Sequence, residues 1–128
     1  MIKVKQVCGM NNKTMKWSEL RSPSQIDLIR EESKENPVLI FKYSSRCSIS
    51  RMALDRLERN WNESEMQMVK PYFLDLITYR EVSNRIADVF DVRHESPQVL
   101  IIDNEKSVYD ESHMGIRYDS IKDVVNSQ

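Results

Sequence analysis

The sequence predicts an α/β fold in which helices flank a mixed β-sheet. Residues 38–43 and 69–77 are apolar, strand-like runs, and each is followed by a segment with apolar residues at helical spacing. A third apolar run, 98–102, begins directly after Pro97 and leads into a turn and a further strand. Because strand–helix–strand crossovers are right-handed, we expect the first two strands to be parallel, with an antiparallel hairpin after them.

Length and composition are those of an ordinary globular protein. At 128 residues the chain can bury its own core, so residues 1–128 are predicted to form a single domain, with a weakly patterned segment over about 1–21. Hydrophobic residues make up 40%, charged residues 30%, and the net charge is −1. These values exclude a disordered chain and argue against a basic protein that tracks phosphates, so no nucleic-acid partner is expected.

The two cysteines and the absence of an apolar segment indicate the compartment. Cys8 and Cys47 lie far apart, without the paired spacing of a secreted disulfide scaffold or a zinc module. The amino terminus is too polar for a signal peptide, and no apolar run is long enough to span a bilayer. We therefore expect a cytoplasmic protein in a reducing environment, with no membrane partner.

The first predicted helix runs from Ser22 to about Glu35. Ser22 and Gln25 have the spacing of a capping box, and Pro23 lies between them at a first-turn position. Two isoleucines supply the apolar stripe of this helix, and the Asn-Pro sequence at 36–37 ends it.

The first strand–helix unit carries a cysteine at its junction. Residues 38–43 form a compact apolar run, typical of a strand that is buried on both faces. From Ser48 onward, apolar residues recur at four-residue intervals, at Ile49, Ala53, Leu57 and Trp61. This spacing predicts an amphipathic helix with Cys47 near its N-cap.

The second strand–helix unit follows directly. Residues 69–77 are predicted to form a strand, and Thr78 and Glu81 have the spacing of a second capping box. The apolar face of the helix that follows is formed by Val82, Ile86, Val89 and Phe90. Two such units in succession predict parallel strands whose faces are covered by helices.

The last part of the chain is predicted to be a hairpin and a helix. Pro97 lacks an N–H and fits only at the start of the strand 98–102, and the polar residues 103–106 turn the chain toward a strand at 107–109. The last helix is expected to pack on the sheet, with its apolar residues at Tyr118, Ile121, Val124 and Val125.

A cysteine at the start of a helix has distinctive chemistry. Unpaired backbone N–H groups and the positive end of the helix dipole stabilise a thiolate, so the pKa of such a thiol can fall from about 8.5 to about 3.5–7.5. The polar neighbours Ser45, Arg46, Ser48 and Ser50 argue against an apolar niche. Thiol–disulfide chemistry at Cys47 is therefore the leading hypothesis, and a small, inert core residue is the alternative.

The neighbours of Cys47 predict a single-thiol mechanism. Ser50 stands where a Cys-x-x-Cys enzyme carries its resolving cysteine, and a hydroxyl cannot form a disulfide. We expect the Ser50 hydroxyl to donate a hydrogen bond to the thiolate and Arg46 to add positive potential, with the backbone amides contributing more than Arg46. Cys8 is interpreted as incidental, and a disulfide with Cys47 formed by folding across is the alternative.

Four segments together resemble the monothiol bacilliredoxin family, also called YtxJ-like proteins, which belongs to the thioredoxin-like superfamily. These segments are FKYSSRCSIS, REVSNRIADVF, VRHESPQVLI and DESHMGI, and the resemblance extends roughly from Trp17 to Tyr118. The family uses the cysteine of a T-C-P-I motif. In this chain Arg46 stands where the family usually has threonine, and Ser48 stands where it usually has proline.

The resemblance implies a thioredoxin-like fold and the removal of bacillithiol from mixed disulfides, with Cys47 as the nucleophile. It implies that the Ser96–Pro97 bond is cis, opposite the cysteine, and that the backbone of Ser96 pairs with an extended substrate segment. His94 and His113 lie in matching segments and are expected to line the site. The expected partners are S-thiolated client proteins, bacillithiol is the expected co-substrate, and no bound cofactor or metal is expected.

Other interpretations stay open. A non-catalytic module could use the groove of the same scaffold to hold a partner, and a reductase of the same fold could act on a peroxide or on arsenate, whose anion would bind at the helix terminus. A metal pair formed by His94 and His113 has weak support, because no cysteine or carboxylate lies at ligand spacing, and hydrogen bonding is favoured for both. Arg80 and Asn84 also match the family and are further candidate ligand contacts.

Overall fold

A computed structural model describes residues 15–127 of the chain. The strands in this part of the chain are β1 (Ser18–Glu19), β2 (Val38–Tyr43), β3 (Lys70–Asp75), β4 (Gln98–Asp103) and β5 (Lys106–Ser112). The helices are α1 (Ser24–Glu32), α2 (Ser48–Asn60), α3 (Arg80–Phe90), a short 3₁₀ helix (His113–Gly115) and α4 (Tyr118–Asn126). None of the helices within residues 15–127 is both long and apolar enough to cross a bilayer.

The strands form one mixed sheet in the order β1-β3-β2-β4-β5. β1 and β2 are parallel to β3, whereas β4 is antiparallel to β2 and β5 is antiparallel to β4. This arrangement confirms the predicted α/β class, with a parallel strand–helix–strand unit and an antiparallel hairpin. The sequence analysis misses β1, because a strand of two residues is too short to show a period-two pattern.

Helices cover both faces of the sheet, and β2 lies at its centre. Val38 and Ile40 of β2 belong to the core cluster beneath α1 and α3, and Leu39 and Phe41 belong to the cluster beneath α2 and α4. All four side chains are fully buried. The prediction of a strand buried on both faces is therefore confirmed.

The ends of β2 and β3 and the start of β4 form one edge of the sheet, called here the carboxyl edge. β2 and β3 end together, with Tyr43 opposite Asp75. Gln98 of β4 lies opposite Lys42, so the chain enters β4 through Pro97 at this same edge. The loops that lead into α2 and α3 also start here. The carboxyl edge therefore gathers the segments that carry most of the candidate site residues.

The start of α1 agrees with the sequence analysis only in part. The Gln25 side-chain oxygen accepts a 3.0 Å hydrogen bond from the amide of Ser22, as in a capping box. The hydroxyl of Ser22, however, accepts from the amide of Ser24 at 3.2 Å rather than from that of Gln25. The helix ends at Glu32, short of the predicted Glu35, because the chain continues as turns toward β2.

The capping box predicted at Thr78 and Glu81 is wrong. α3 begins at Arg80 and has no side-chain cap at its amino terminus. The Thr78 hydroxyl donates instead to the carboxylate of Asp75 at 3.0 Å, and the Thr78 amide also donates to that carboxylate, at 3.3 Å. The carboxylate of Asp75, at the end of β3, accepts both of these charge-assisted hydrogen bonds and so holds Thr78 in the turn before the helix.

The predicted hairpin is present and is longer than expected. β3 is shorter than the predicted strand 69–77, whereas β5 extends to Ser112 instead of ending at 109. Asn104 and Glu105 join β4 to β5 with φ values of 53° and 71°. Two central residues of positive φ suit the right-handed twist of the paired strands, which explains the tight connection.

The two helices on the second face follow the predicted spacing, with one exception. α2 buries Ala53 and Leu57, and α4 buries Tyr118, Ile121 and Val125. Ile49 has the spacing of the apolar stripe, yet it is 37% exposed. It lies in the first turn of α2, next to Cys47.

Candidate active site

Cys47 occupies the N-cap of α2 in an extended backbone conformation, as N-cap residues usually do. Its amide donates to the carbonyl of Ser44 at 3.1 Å, and its carbonyl accepts from the amides of Ser50 at 3.1 Å and Arg51 at 3.4 Å. The cysteine side chain is partly exposed. The alternative that Cys47 is sealed in the core is therefore wrong.

The surroundings of Cys47 favour its ionised form. The amide of Ser50 has the largest effect on the pKa of the Cys47 thiol, which it lowers. Partial burial opposes this, and the amide of Ile49 and the hydroxyl of Ser50 lower the pKa further, so the pKa lies below its ordinary value. The neutral thiol forms no capping hydrogen bond, so these donors act on the thiolate.

The three neighbours singled out beside Cys47 differ in their surroundings. Ser50 is fully buried, and its hydroxyl accepts a 3.2 Å hydrogen bond from the amide of Ser44, which leaves the hydroxyl proton for the thiolate. Ser48 is exposed as the first residue of α2. Arg46 is exposed as well, and its guanidinium is not among the groups that shift the pKa of Cys47.

The Ser96–Pro97 peptide bond is cis, as the family resemblance implies. The carbonyl of Pro97 accepts a 3.0 Å hydrogen bond from the amide of His113, and Nε2 of His113 lies 3.6 Å from the carboxylate of Glu95. The hydroxyl oxygen of Ser96 is buried and has no hydrogen-bond partner among residues 15–127. The end of the hairpin thus holds this segment in place at the carboxyl edge.

His94 contacts a buried lysine. Nδ1 of His94 lies 3.4 Å from Nζ of Lys42 and 3.3 Å from the hydroxyl of Ser83. Lys42 is fully buried and also donates to the carbonyl of Ser83 at 3.3 Å. Burial lowers the pKa of Lys42 to about 8. The pKa of His94 is lowered by its own burial and by the charges of Lys42 and Arg80.

The sequence profile described as monothiol bacilliredoxin BrxC matches residues 18–121 of the chain. The chain belongs to the monothiol bacilliredoxin family. Among family members the T-C-P-I motif is usual, and this bacilliredoxin has Arg46-Cys47-Ser48-Ile49 in its place. The geometry around Cys47 shows that the two departures leave the cysteine at the N-cap of α2.

Solved structures show that this bacilliredoxin has a thioredoxin fold. A protein described as a candidate oxidoreductase with a thioredoxin fold is 31% identical, with a TM-score of 0.70 over 82% of this chain and 89% of its own. Fasciola hepatica thioredoxin is 16% identical (TM-score 0.64; 85% and 96% covered), and Malassezia sympodialis thioredoxin is 11% identical (TM-score 0.67; 93% and 97% covered). Family and fold together support a thiol redox role.

Sequence reasoning misses three residues of the bacilliredoxin's carboxyl edge, namely Lys42, Ser83 and Gln98. Gln98 lies opposite Lys42, and its Nε2 donates to the carbonyl of Arg93 at 2.9 Å, whereas its Oε1 is buried without a partner within residues 15–127. A signal for Lys42 was available, because it is the charged residue in a run predicted to be buried on both faces. Ser83 and Gln98 carry no such signal.

The remaining candidates are placed as follows. Arg80 is exposed at the start of α3, close enough for its charge to affect His94. Asn84 lines a hollow between α1 and α3. Within residues 15–127, no three histidine, cysteine or carboxylate side chains are grouped to hold a metal ion. Cys8 lies outside the described residues, so its disulfide with Cys47 stays an untested alternative.

Proposed function

We propose that this bacilliredoxin is a monothiol thiol–disulfide oxidoreductase that removes a low-molecular-weight thiol from mixed disulfides on client proteins, with bacillithiol as the expected thiol. The observation that supports this most directly is the position of Cys47, which is partly exposed at the N-cap of α2 and has a lowered pKa. A thiolate is the nucleophile in thiol–disulfide exchange, so a lowered pKa increases its fraction near neutral pH.

The proposed reaction has two exchange steps. In the first, the thiolate of Cys47 attacks the small thiol's sulfur in the mixed disulfide, the bond to the client sulfur breaks, and the client leaves as a thiolate that takes a proton from water. Cys47 now carries the small thiol. In the second step, another molecule of the small thiol attacks this disulfide as its thiolate, releases Cys47 and leaves as the symmetrical disulfide.

The residues around Cys47 fit a route with one protein thiol. Ser50 lies at the position of a resolving cysteine and donates toward the sulfur, so it stabilises the thiolate without offering a second thiol. Arg46 and Ser48 flank the cysteine and are proposed to face the incoming adduct. We propose that the backbone of Ser96, beside the cis bond, pairs with an extended segment of the client. A reducing cytoplasm is the proposed compartment.

A comparison of two cysteine variants tests the nucleophile. A model client carrying one bacillithiol adduct is mixed with the wild type, with Cys47→Ser or with Cys8→Ser, and intact masses report where the adduct resides. The wild type and Cys8→Ser are expected to free the client and carry the adduct, whereas Cys47→Ser leaves the client modified. Adduct removal by Cys47→Ser would rule out the proposed nucleophile.

A pH series tests the activated thiolate. The rate of alkylation of Cys47 by iodoacetamide is expected to follow an apparent pKa clearly below about 8.5, the value of an ordinary thiol. An ordinary or higher pKa would remove the premise of the proposal. Turnover of peroxide or arsenate, with no removal of the bacillithiol adduct, would favour the other reductase activity instead.

A further inference from the structure

A hollow lined mainly by carboxylates lies beside the cis-proline segment. It is formed by the residue that ends α3, by the segment that leads from there to the cis bond, and by the end of β5. Four carboxylates line it, those of Asp91, Glu95, Asp110 and Glu111. The other side chains in the lining that can carry charge are those of Arg93 and His113. This acidic hollow therefore has an excess of negative charge.

The carboxylates of the acidic hollow lack cationic partners. Within residues 15–127, no lysine or arginine forms an ion pair with any of the four. Glu95 lies 3.6 Å from Nε2 of His113, and Glu111 accepts a 3.0 Å hydrogen bond from the amide of Ser112. Like charges gathered in one place repel each other, so a cation that enters the hollow is attracted by several carboxylates at once.

Gln98 adds a buried acceptor that has no donor. It lines the acidic hollow, lies opposite Ser112 of β5, and is only 1% exposed. Its Nε2 donates to the carbonyl of Arg93, whereas its Oε1 has no partner in the part of the chain that the structure describes. An amide oxygen can only accept, and a buried acceptor without a donor is costly. The amide of Gln98 therefore indicates, independently of the charges, a ligand that brings N–H donors.

The acidic hollow adjoins the segment proposed to pair with the client. Glu95 and Gln98 flank Ser96 and Pro97 along the chain, and both line the hollow. His113 also lines it and donates to the carbonyl of Pro97. An extended client segment paired with Ser96 advances about 3.3 Å per residue and points alternate side chains to opposite sides. A side chain close to the paired residue can therefore reach the hollow.

We propose that the acidic hollow binds an arginine or lysine side chain of the client, close to the cysteine that carries the adduct. The inference rests on the proposed function and adds the class of client that is preferred. A basic side chain supplies the positive charge that the four carboxylates lack, and its N–H groups are donors for carboxylate and amide oxygens. A client with neutral or acidic residues at the same place gains neither contribution.

Two peptides with the same adduct test this preference. Both carry one bacillithiol-modified cysteine, and the four residues on each side of it include two arginines in one peptide and two glutamines in the other. Four extended residues cover about 13 Å on either side, so the test does not depend on the register of binding. Because the adduct is the same, a charge on the small thiol affects both peptides alike.

The test variant is Asp91→Asn/Asp110→Asn, which removes two charges of the acidic hollow. Asp91 has a φ of 54°, and asparagine tolerates this conformation as well as aspartate does. The control, Asp103→Asn/Asp123→Asn, removes two charges as well, one at the opposite end of β4 and one at an exposed position on α4. Single-turnover transfer to Cys47 is measured by intact mass at low ionic strength, where exposed charges are least screened.

The ratio of the arginine-peptide rate to the glutamine-peptide rate is expected to fall about fivefold in the test variant, the size of two partly exposed charge pairs. In the control the ratio stays at its wild-type value. An unchanged ratio in the test variant would refute the site. An equal fall in the test variant and the control would refute it too, because the preference then follows the net charge of the protein and not the hollow.

A binding measurement separates failure of this inference from failure of the proposed function. If the wild type transfers neither adduct, the proposed function has failed, and the hollow is judged with the same peptides carrying serine in place of the modified cysteine. In a titration followed by nuclear magnetic resonance, the side-chain amide signals of Gln98 are expected to shift more with the arginine peptide, and Asp91→Asn/Asp110→Asn removes the difference. Equal shifts with the two peptides in the wild type would refute the basic-residue site on its own.

Discussion

The amide of His113 donates a 3.0 Å hydrogen bond to the carbonyl of Pro97 and so joins the start of the 3₁₀ helix to the cis-proline segment. His113 adopts a positive φ of 56°, which turns the chain away from β5 after this contact. Pro97 comes directly before β4 and His113 directly after β5, so both lie at the open end of the β4–β5 hairpin. The hairpin therefore holds the segment that we propose receives the client.

Arg56 is predicted to hold the 3₁₀ helix on α2. Its Nη2 donates to the carbonyls of Met114, at 3.1 Å, and Ile116. Arg56→Gln is expected to lower the free energy of unfolding by about 1–3 kcal/mol, because both carbonyls lose a charged donor. Urea denaturation measures the change. Arg59→Gln, at an exposed position on the same helix, is the control with an expected change below about 0.5 kcal/mol, and equal losses would contradict the role of Arg56.

Ser50→Ala is predicted to change both the reactivity of Cys47 and the stability of the fold. Loss of the hydroxyl raises the pKa of Cys47, because one donor to the thiolate is removed. It also leaves the buried amide of Ser44 without its acceptor, at a cost of about 1–3 kcal/mol. Iodoacetamide alkylation against pH and urea denaturation measure the two effects. Ser45→Ala, at an exposed position in the same turn, is the control, and an unchanged pKa in Ser50→Ala would contradict the role of the hydroxyl.

Lys42 is predicted to make stability depend on pH in the alkaline range. Its folded-state pKa is about 8, against an ordinary value of 10.5, so between these values the unfolded chain binds more protons than the folded one. The free energy of unfolding therefore rises with pH in this window, by about 3 kcal/mol from this group. Well below pH 8, Lys42 is protonated in both the folded and the unfolded chain, so the full cost of burying its charge is present.

Lys42→Met removes this dependence and is expected to stabilise the protein at pH 7, because a buried charge is replaced by an apolar side chain of similar length. The unfolding free energies of the wild type and the variant are measured from pH 7 to 10.5, and their difference is compared across this range. The tyrosines titrate alike in both proteins, so their contribution cancels in this difference. Curves that stay parallel over this range, as expected for the control Lys106→Met at an exposed position in β5, would contradict a lowered pKa of Lys42.

Glu105→Gly is predicted to stabilise the hairpin by about 1 kcal/mol. Glu105 has a φ of 71°, which is unfavourable for a residue with a side chain, whereas glycine adopts it freely and would create the favoured Asn-Gly turn. The exposed ion pairs of Glu105 with Arg30 and Lys34 contribute little. Glu105→Ala, which removes the same ion pairs but keeps the strain, is the control. Thermal denaturation should rank glycine above alanine, and the reverse order would contradict the argument.

The sequence predicts those parts of the fold that local pattern controls. The apolar run at 38–43 forms a strand, the four-residue spacing after Ser48 forms a helix, and the proline comes directly before β4, as predicted. Only Ile49 departs from the predicted apolar stripe of that helix. Predictions of helix caps are less reliable, because a backbone amide can donate to a different nearby acceptor at a small cost in free energy. The amide of Thr78 donates to Asp75 rather than to the carboxylate of Glu81, and the expected cap of α3 is absent.

By itself the sequence determined the order of the strands and helices from α1 onward, the position of Cys47 at a strand–helix junction, and the serine in place of a second thiol at position 50. These features depend on neighbours within a few residues, so spacing and residue type suffice to predict them. Only the tertiary structure decided that Lys42 meets His94, 52 residues away, and that the proline segment is held by His113. Such contacts depend on strand order and register, because packing of the whole sheet brings distant side chains to one edge.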